Sequence, residues 1–440
     1  MKYIIPKGSM LTAKDIQHIL NQYKSDEARR RKLYDYYQGK HNIIYRVLSD
    51  SNKPNNKIVN AFPNYITDMI TGYFMGNPVV YTSSDEDYLE KLQDVLDYND
   101  EQNHNVEISK DQSIYGVAYE LLYLDENADI RFKKINPQNT ILILNNTLDE
   151  DMLYGIRYYK NNILNPDEIT LELYSLYDIT TYTMEGENLK FIERVDHPFR
   201  MVPIAAYYNN EEEMGDFEIV MSLVDAFDKL ASDNVNDFEQ FADAYLKLKG
   251  MEGTDSDDVA AMRENRVLIL PEDGDADWLI KQINDTYLQN TLESIQNNIH
   301  KFSKVPAMTD ENFGGNLSGI ALRYKLIGLE NKVATKESYF KKGLQRRIEL
   351  ITNIFYTLGS QYDYRDISMI FSRNLPANEK EAAELANMLW GIVSDETVLA
   401  QLPFVNDPAK EIEKKNSQLS IYSDFEENVE NEVENEPIST

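Results

Sequence analysis

The sequence contains no cysteine, so neither a disulfide framework nor a thiolate metal site can be built from it. That absence fits a cytosolic or virion protein better than a small secreted one. Histidine is scarce: His18, His41, His104, His197 and His300 are the only five. None forms a His-Glu-x-x-His pattern or stands at metal-ligand spacing from another, so no metal site is expected. No apolar run approaches the roughly 18 residues needed to cross a bilayer. The opening Met1-Lys2-Tyr3-Ile4-Ile5-Pro6 is too short and too polar for a signal peptide. A Gly-x-Ser-x-Gly elbow is also missing, and with cysteine absent nucleophilic catalysis has no signature.

Positive charge is the next shortage. Lys and Arg number 44 against 75 Asp and Glu, a formal net charge of −31. Proteins that grip nucleic acid through phosphates need basic surface, because affinity comes largely from cations displacing counterions. A chain this acidic either avoids nucleic acid, or lets it slide without sticking, or is simply kept soluble by its charge. What is abundant is tyrosine, 30 residues, which suits both subunit interfaces and ordinary cores. The 440 residues, 42% hydrophobic, are ample for a real core and imply two to four domains.

The pattern along the chain predicts an α+β protein. Residues 12–39 read as a helix, with Thr12 as N-cap, Ile16, Ile19, Leu20 and Tyr23 at helical spacing, and Gly39 as the stop. Helices follow over 58–75, 85–98 and 103–115, with Gly76-Asn77-Pro78 as a break and Val79-Val80-Tyr81 as a short strand. From 117 to 208, short runs rich in Ile, Leu, Tyr and Thr alternate with turn signals and predict an antiparallel meander. Residues 209–216 read as a polar linker. A long helix is expected over 217–248, about 48 Å at 1.5 Å per residue. The stretch 250–283 reads as an excursion with an acidic helix start at Asp255, Asp257 and Asp258, a strand-like Arg266–Leu270 and a turn at Pro271–Gly274. A second helix carries Leu288, Leu292, Ile295, Ile299 and Phe302 in a heptad-like seam, which suggests an antiparallel pair with a tip module.

Pro306 ends that helix, and Pro306–Asn316 reads as a loop with two adjacent glycines. Phe313-Gly314-Gly315-Asn316 lacks the Gly-Lys-Ser/Thr of a phosphate-binding loop, so nucleotide binding is rejected. Asp273, Asp275 and Asp277 alternate like a calcium loop, but Trp278 stands where Gly is required and Asn284 where Glu is, so a bare turn is expected. Ser318–Leu358 has no proline and predicts a helix of roughly 60 Å, with Gly328 and Gly343 as candidate bends. Against the overall charge it carries Arg323, Lys325, Lys332, Lys336, Lys341, Lys342, Arg346 and Arg347, with only Glu330, Glu337 and Glu349 in opposition. These cations either pair with acidic residues of other domains or subunits, or touch phosphates. One or two further helices are expected over 376–415. The tail from Asp424 to Glu436 has seven acidic and no basic residues and is expected to be disordered.

Four segments remain. They are Tyr36-Tyr37-Gln38-Gly39-Lys40-His41, then Asn55-Asn56-Lys57-Ile58-Val59-Asn60 continuing through Ile70–Pro78. Leu153-Tyr154-Gly155-Ile156-Arg157-Tyr158-Tyr159 comes next, and last Asn298-Ile299-His300 through Val305-Pro306 with Ser318-Gly319-Ile320-Ala321-Leu322. Together, and in this order, they resemble the siphovirus-type phage portal family over roughly residues 30 to 358.

The resemblance implies a non-enzymatic, cofactor-free subunit of a dodecameric ring. Its site would be the portal vertex of the virion capsid, after assembly in the host cytoplasm. It implies a mainly helical portal fold with an α/β wing at 1–216, stem helices at 217–249 and 284–305, and a clip at 250–283. A tunnel loop at 306–316, a long channel helix at 317–358, a crown at 359–420 and an acidic tail at 421–440 complete it. Implied partners are double-stranded DNA passing without sequence specificity, the terminase motor, a head-completion or tail adaptor, and the major capsid and scaffold proteins, with no membrane. Met308, Thr309, Asp310, Glu311, Asn312, Phe313, Gly314, Gly315 and Asn316 would then lie nearest the DNA, with Asp310 and Glu311 keeping it centred. Arg323, Lys325, Lys332 and Lys336 would contact DNA or a neighbouring subunit. The alternative is another acidic phage structural protein, a scaffold or adaptor, although the meander of 117–208 argues against a purely helical scaffold.

Overall fold

The computed structural model describes residues 2–50, 53–160, 164, 168–186, 188–241, 245–249, 257, 275–279, 285–308, 319–374, 379–402, 404–405 and 407–417. They form two compact units. One comprises residues 1–33, 66–216 and 304–440, the other residues 34–65 and 217–303.

The first unit starts with β1 (Tyr3–Ile5) and α1 (Ala13–Tyr37). Thr12 caps α1 reciprocally: Asp15 N donates to its hydroxyl at 3.3 Å, and Thr12 N donates to the Asp15 carboxylate at 2.8 Å. Ile16, Ile19, Leu20 and Tyr23, as the periodicity requires, form the buried stripe. Next come α2 (Phe62–Met75), β2 (Val80–Thr82), α3 (Glu86–Tyr98) and α4 (Glu101–Tyr115). The strand region holds β3 (Val117–Leu124), β4 (Ile130–Ile135), β5 (Thr140–Asn145), β6 (Met152–Tyr159), β7 (Ile169–Tyr174), β8 (Asp178–Glu185), β9 (Asn188–Asp196) and β10 (Ile204–Tyr208).

The expected single meander is in fact two sheets. Six strands run in the order β1-β5-β6-β7-β8-β9 and three in the order β10-β3-β4. β1 pairs with β5 in parallel, Tyr3 opposite Ile143. Three residues carry too little pattern to announce a strand. Ile141 and Ile143 of β5 face the α1 stripe, while Leu142 packs with Val117, Tyr119, Leu121 and Ile204 of the smaller sheet. Burial on both faces explains why β5 reads as an unbroken apolar run.

Residues 209–216, expected to be a solvated linker, are a packed turn. Asn209 and Asp216 are buried, Asp216 N donates to Ser113 O at 2.7 Å, and Asn209 N donates to Gly116 O at 2.9 Å. A β-carbon on Gly116 would collide with Glu213 backbone, and Gly116 also sits at φ +83°. The chain returns to this unit with α7 (Gly319–Thr357), β13 (Ser368–Ile370), α8 (Glu379–Leu389) and α9 (Asp395–Leu399). α7 runs uninterrupted through Gly328 and Gly343. Gly343 is a close-approach site, since a β-carbon there would overlap the Tyr207 ring. β13 pairs with β2, and Gly76 of the Gly-Asn-Pro break lies against Asn374, where a side chain would not fit.

The second unit holds α5 (Met221–Phe241), β11 (Tyr245–Lys249), β12 (Asp275–Leu279) and α6 (Asp285–Ser303). α5 packs on α6. It ends seven residues before the expected 248, because Tyr245-Leu246-Lys247-Leu248-Lys249 alternates with the period of a strand and pairs antiparallel with β12. Asp275 and Asp277 therefore sit in a strand, not a turn. In the α6 seam Ile299 is fully buried, whereas Phe302 is 51% exposed and lies outside it. Residues 34–65, expected to belong with 1–216, group with these helices instead. The strand-like Arg266–Leu270, the turn at Pro271–Gly274, Asp255, Asp258, Thr309–Asn316 and the tail 421–440 lie outside the described residues.

Candidate functional site

The charges of α7 are where sequence and chemistry intersect. Buried Leu329, Val333, Phe340, Leu344 and Ile351 form its inward stripe, and Lys336 and Arg347 stand in register with them. Both cations are fully buried, so each requires compensation.

Arg347 sits among α4, β3 and β10. Its guanidinium donates through Nε to both Glu120 oxygens at 2.9 and 3.0 Å, through Nη1 to Glu101 at 3.1 Å and through Nη2 to Asn105 at 3.0 Å. Tyr207 donates to Glu120 at 2.8 Å, Tyr81 to Glu101 at 2.5 Å, and His104 Nε2 lies 2.7 Å from Glu120. Burial opposes ionisation of Glu120, but Arg347 and His104 outweigh it and hold the carboxyl at about 2.

One helical stretch earlier, Lys336 Nζ donates to Ser109 O at 3.1 Å, to the Ser113 hydroxyl and to Asp216 at 3.4 Å. Lys332 donates to Asp216 O at 2.8 Å and lies 3.2 Å from its carboxylate. Asp216 is opposed by burial yet held at about 2 by the two ammonium groups. Burial lowers Lys336 to about 8 against the pull of Asp216. Lys336 therefore cannot be the surface contact the sequence suggested, and Lys332 is engaged by its own chain. The cause is the same for both: they complete a buried cluster whose acid lies over a hundred residues away in sequence.

Lys341 pairs with Glu337 at 2.9 Å and Arg346 with Glu349 at 3.2 Å. Outside the helix, Arg373 fixes Glu330 and Glu337 at 3.0 and 2.8 Å. Arg323, Tyr324, Lys325 and Ile327 are exposed, Tyr324 by 73%. Just before the helix, Met308 of the expected loop is also exposed.

The second unit uses the opposite sign. α5 presents Asp225, Asp228, Ser232, Asp233 and Asn236. Tyr36 and Asn42 donate to Asp225 at 2.6 and 2.9 Å, and His41 Nδ1 lies 2.5 Å from the buried Asp228. Arg46 donates to Asp233 at 2.6 Å. The extended residues 56–60 then lie along the helix: Asn56 N donates to Asn236 at 2.7 Å, Ile58 N to Ser232 at 2.9 Å and Asn60 N to Asp228 at 2.8 Å. Every second amide of the strap meets every fourth side chain of the helix. Two extended residues span about 6.6 Å and four helical residues about 6.0 Å, so the two repeats nearly match.

Among the described residues no group of three or more His, Asp or Glu could hold a metal ion, and no helix is long and apolar enough to cross a membrane. Sequence reasoning missed Glu101, Glu120, Asp216 and Asp228. The signal available for the first three was the placement of Lys336 and Arg347 inside an apolar helical stripe.

Residues 16–420 match the family described as phage portal protein, SPP1 Gp6-like. The chain is 25% identical over 439 residues to the portal protein of Bacillus phage SPP1, covering 92% of this chain and 82% of that one. It is 24% identical over 450 residues to the portal protein of Clostridium phage phiCD119, covering 93% and 98% respectively.

Proposed function

We propose, from the premise that this chain belongs to the SPP1 Gp6-like family of phage portal proteins, that it forms a dodecameric ring at one capsid vertex and conducts DNA during packaging and ejection. In this reading residues 1–216 apart from 34–65 are the wing, 217–249 and 284–305 the stem, with which 34–65 group, 250–283 the clip that faces terminase and later the head–tail adaptor, and 359–420 the crown. Residues 306–316 form the tunnel loop, and α7 lies on the channel side.

The observation that supports it is how the cations of α7 are spent. Lys332, Lys336, Lys341, Arg346 and Arg347, five of its eight, are ion-paired inside their own chain. A conduit must guide DNA without binding it, because each phosphate contact adds salt-dependent affinity that has to be broken at every step. Internal pairing removes that grip, and the remaining charge of −31 raises a repulsive wall. Arg323 and Lys325, on the exposed turns of α7, are the residues assigned to DNA or subunit contact, with Asp310 and Glu311 of the loop centring the duplex.

Negative-stain images of the purified chain test the class directly. Discs with a central hole are expected, and a particle that stays single-copy under every assembly condition overturns the reading. Within the ring, reversing both loop charges (Asp310→Lys with Glu311→Lys) is expected to lower the DNA packaged per capsid; unchanged packaging removes those two residues from the guiding role.

A further inference from the structure

We infer that His41 is a proton-operated clasp: it holds the strap of residues 56–60 on α5 only while both of its ring nitrogens carry a proton. Every group involved lies within the second unit, so the inference does not depend on assembly into a ring.

His41 closes the family-like segment 36–41 and is fully buried. Its ring is stacked on that of Tyr36, with centroids 4.7 Å apart. Nε2 lies 3.0 Å from the Tyr36 carbonyl oxygen, and Nδ1 lies 2.5 Å from Asp228 Oδ2. A carbonyl oxygen can only accept, so the contact at Nε2 requires a proton on that nitrogen. A second proton is needed between Nδ1 and Asp228, since two lone pairs at that distance repel. The other Asp228 oxygen is already taken by the backbone and side-chain amides of Asn60, at 2.8 and 2.9 Å. A neutral imidazole beside a carboxylate supplies one proton where the two contacts call for two. The geometry is therefore that of an imidazolium facing a carboxylate.

Losing one proton undoes the clasp. Asp228 is as fully buried as His41. Without the imidazolium its charge rests on the Asn60 amides, and a buried charge stripped of its partner is expensive. The strap relieves that cost by lifting off α5 and admitting water. The neighbouring charges are engaged elsewhere. Asp225 accepts from Tyr36 and Asn42, Asp233 from Arg46, Lys57 donates to Ile44 O, and Lys40 lies 4.0 Å from Asp35. His300, the other histidine of this unit, packs against the Phe62 and Tyr65 rings. Histidine is the side chain whose charge changes across the neutral range, so the switch falls on His41.

Two measurements on the full-length chain test this. With the histidine rings labelled with nitrogen-15, the His41 resonances at about pH 6 should be those of a doubly protonated ring. A neutral tautomer there, with the strap still folded, overturns the inference. Hydrogen exchange reads the consequence. After correction for intrinsic rates, the Ile58 and Asn60 amides of the wild type should exchange at least about tenfold faster at about pH 9 than at about pH 6. In His41→Gln, whose amide keeps one donor and one acceptor at every pH, that difference should vanish. Equal protection at both pH values in the wild type, or a pH difference that persists in the variant, also overturns it. If the variant does not fold, the two wild-type measurements decide.

Discussion

On α7 the buried charge is a cation, Arg347, met by the side chains of Glu101, Glu120 and Asn105. On α5 it is an anion, Asp228, met by the His41 ring and by the backbone and side-chain amides of Asn60. The first arrangement balances charge with charge across separate elements. The second uses a carboxylate to satisfy the donors of a segment that has no sheet to join. Removing one member of each should therefore cost different amounts, because an abandoned buried charge is more expensive than an abandoned amide.

Replacing Arg347 by Met gives the largest expected effect. It strands two buried carboxylates and should cost about 3–5 kcal/mol in urea unfolding. Asp228→Ala should cost about 2–3 kcal/mol, with the Ile58 and Asn60 amides losing hydrogen-exchange protection. The opposite ranking of these two variants would break the comparison.

Asp111 sharpens it from the other side. This carboxylate is nearly buried, and burial pushes it up to about 6 against the pull of Lys134, 3.3 Å away. Its folded value lies above the unfolded one, so its ionised form weakens the fold at pH above 6, and the penalty disappears as pH falls below 3.8. Asp111→Asn should stabilise at pH 7 by up to about 2 kcal/mol and leave stability at pH 3.5 unchanged, as thermal melts at the two pH values would record. The well-paired Glu120 and Asp216 behave in the reverse sense. Their contribution is complete above their ordinary values and fades as pH drops toward 2. The smallest effect belongs to the exposed end of α7. Arg323→Ala with Lys325→Ala should change stability by less than about 0.5 kcal/mol, so any loss of DNA packaging in that variant reports on contact and not on folding.

The extent of α7 was readable in advance: a proline-free run over 318–358 became Gly319–Thr357. The fate of its charges was not. Residues 227 and 246 positions away supply the partners of Arg347, and nothing local marks them. Placed among Val333, Phe340 and Ile351, the cations could at least have been read as inward-facing. The end of α5 was misjudged because Ala242 and Tyr245 continue the helical spacing while the Leu-Lys alternation that follows belongs to a strand. Two of the family-like segments, 36–41 and 55–60, stood out by resemblance, but their physical task was hidden because the partner of an extended segment is normally another strand, and here it is a helix.

That strap behaves as a ruler with two scales. One residue inserted inside the strap, between Asn56 and Ile58 or between Ile58 and Asn60, turns the amides on one side of it away from their acceptors among Asn236, Ser232 and Asp228. Length variation should therefore be resisted within residues 56–60, a rule ordinarily associated with β-sheets and here imposed by a helix.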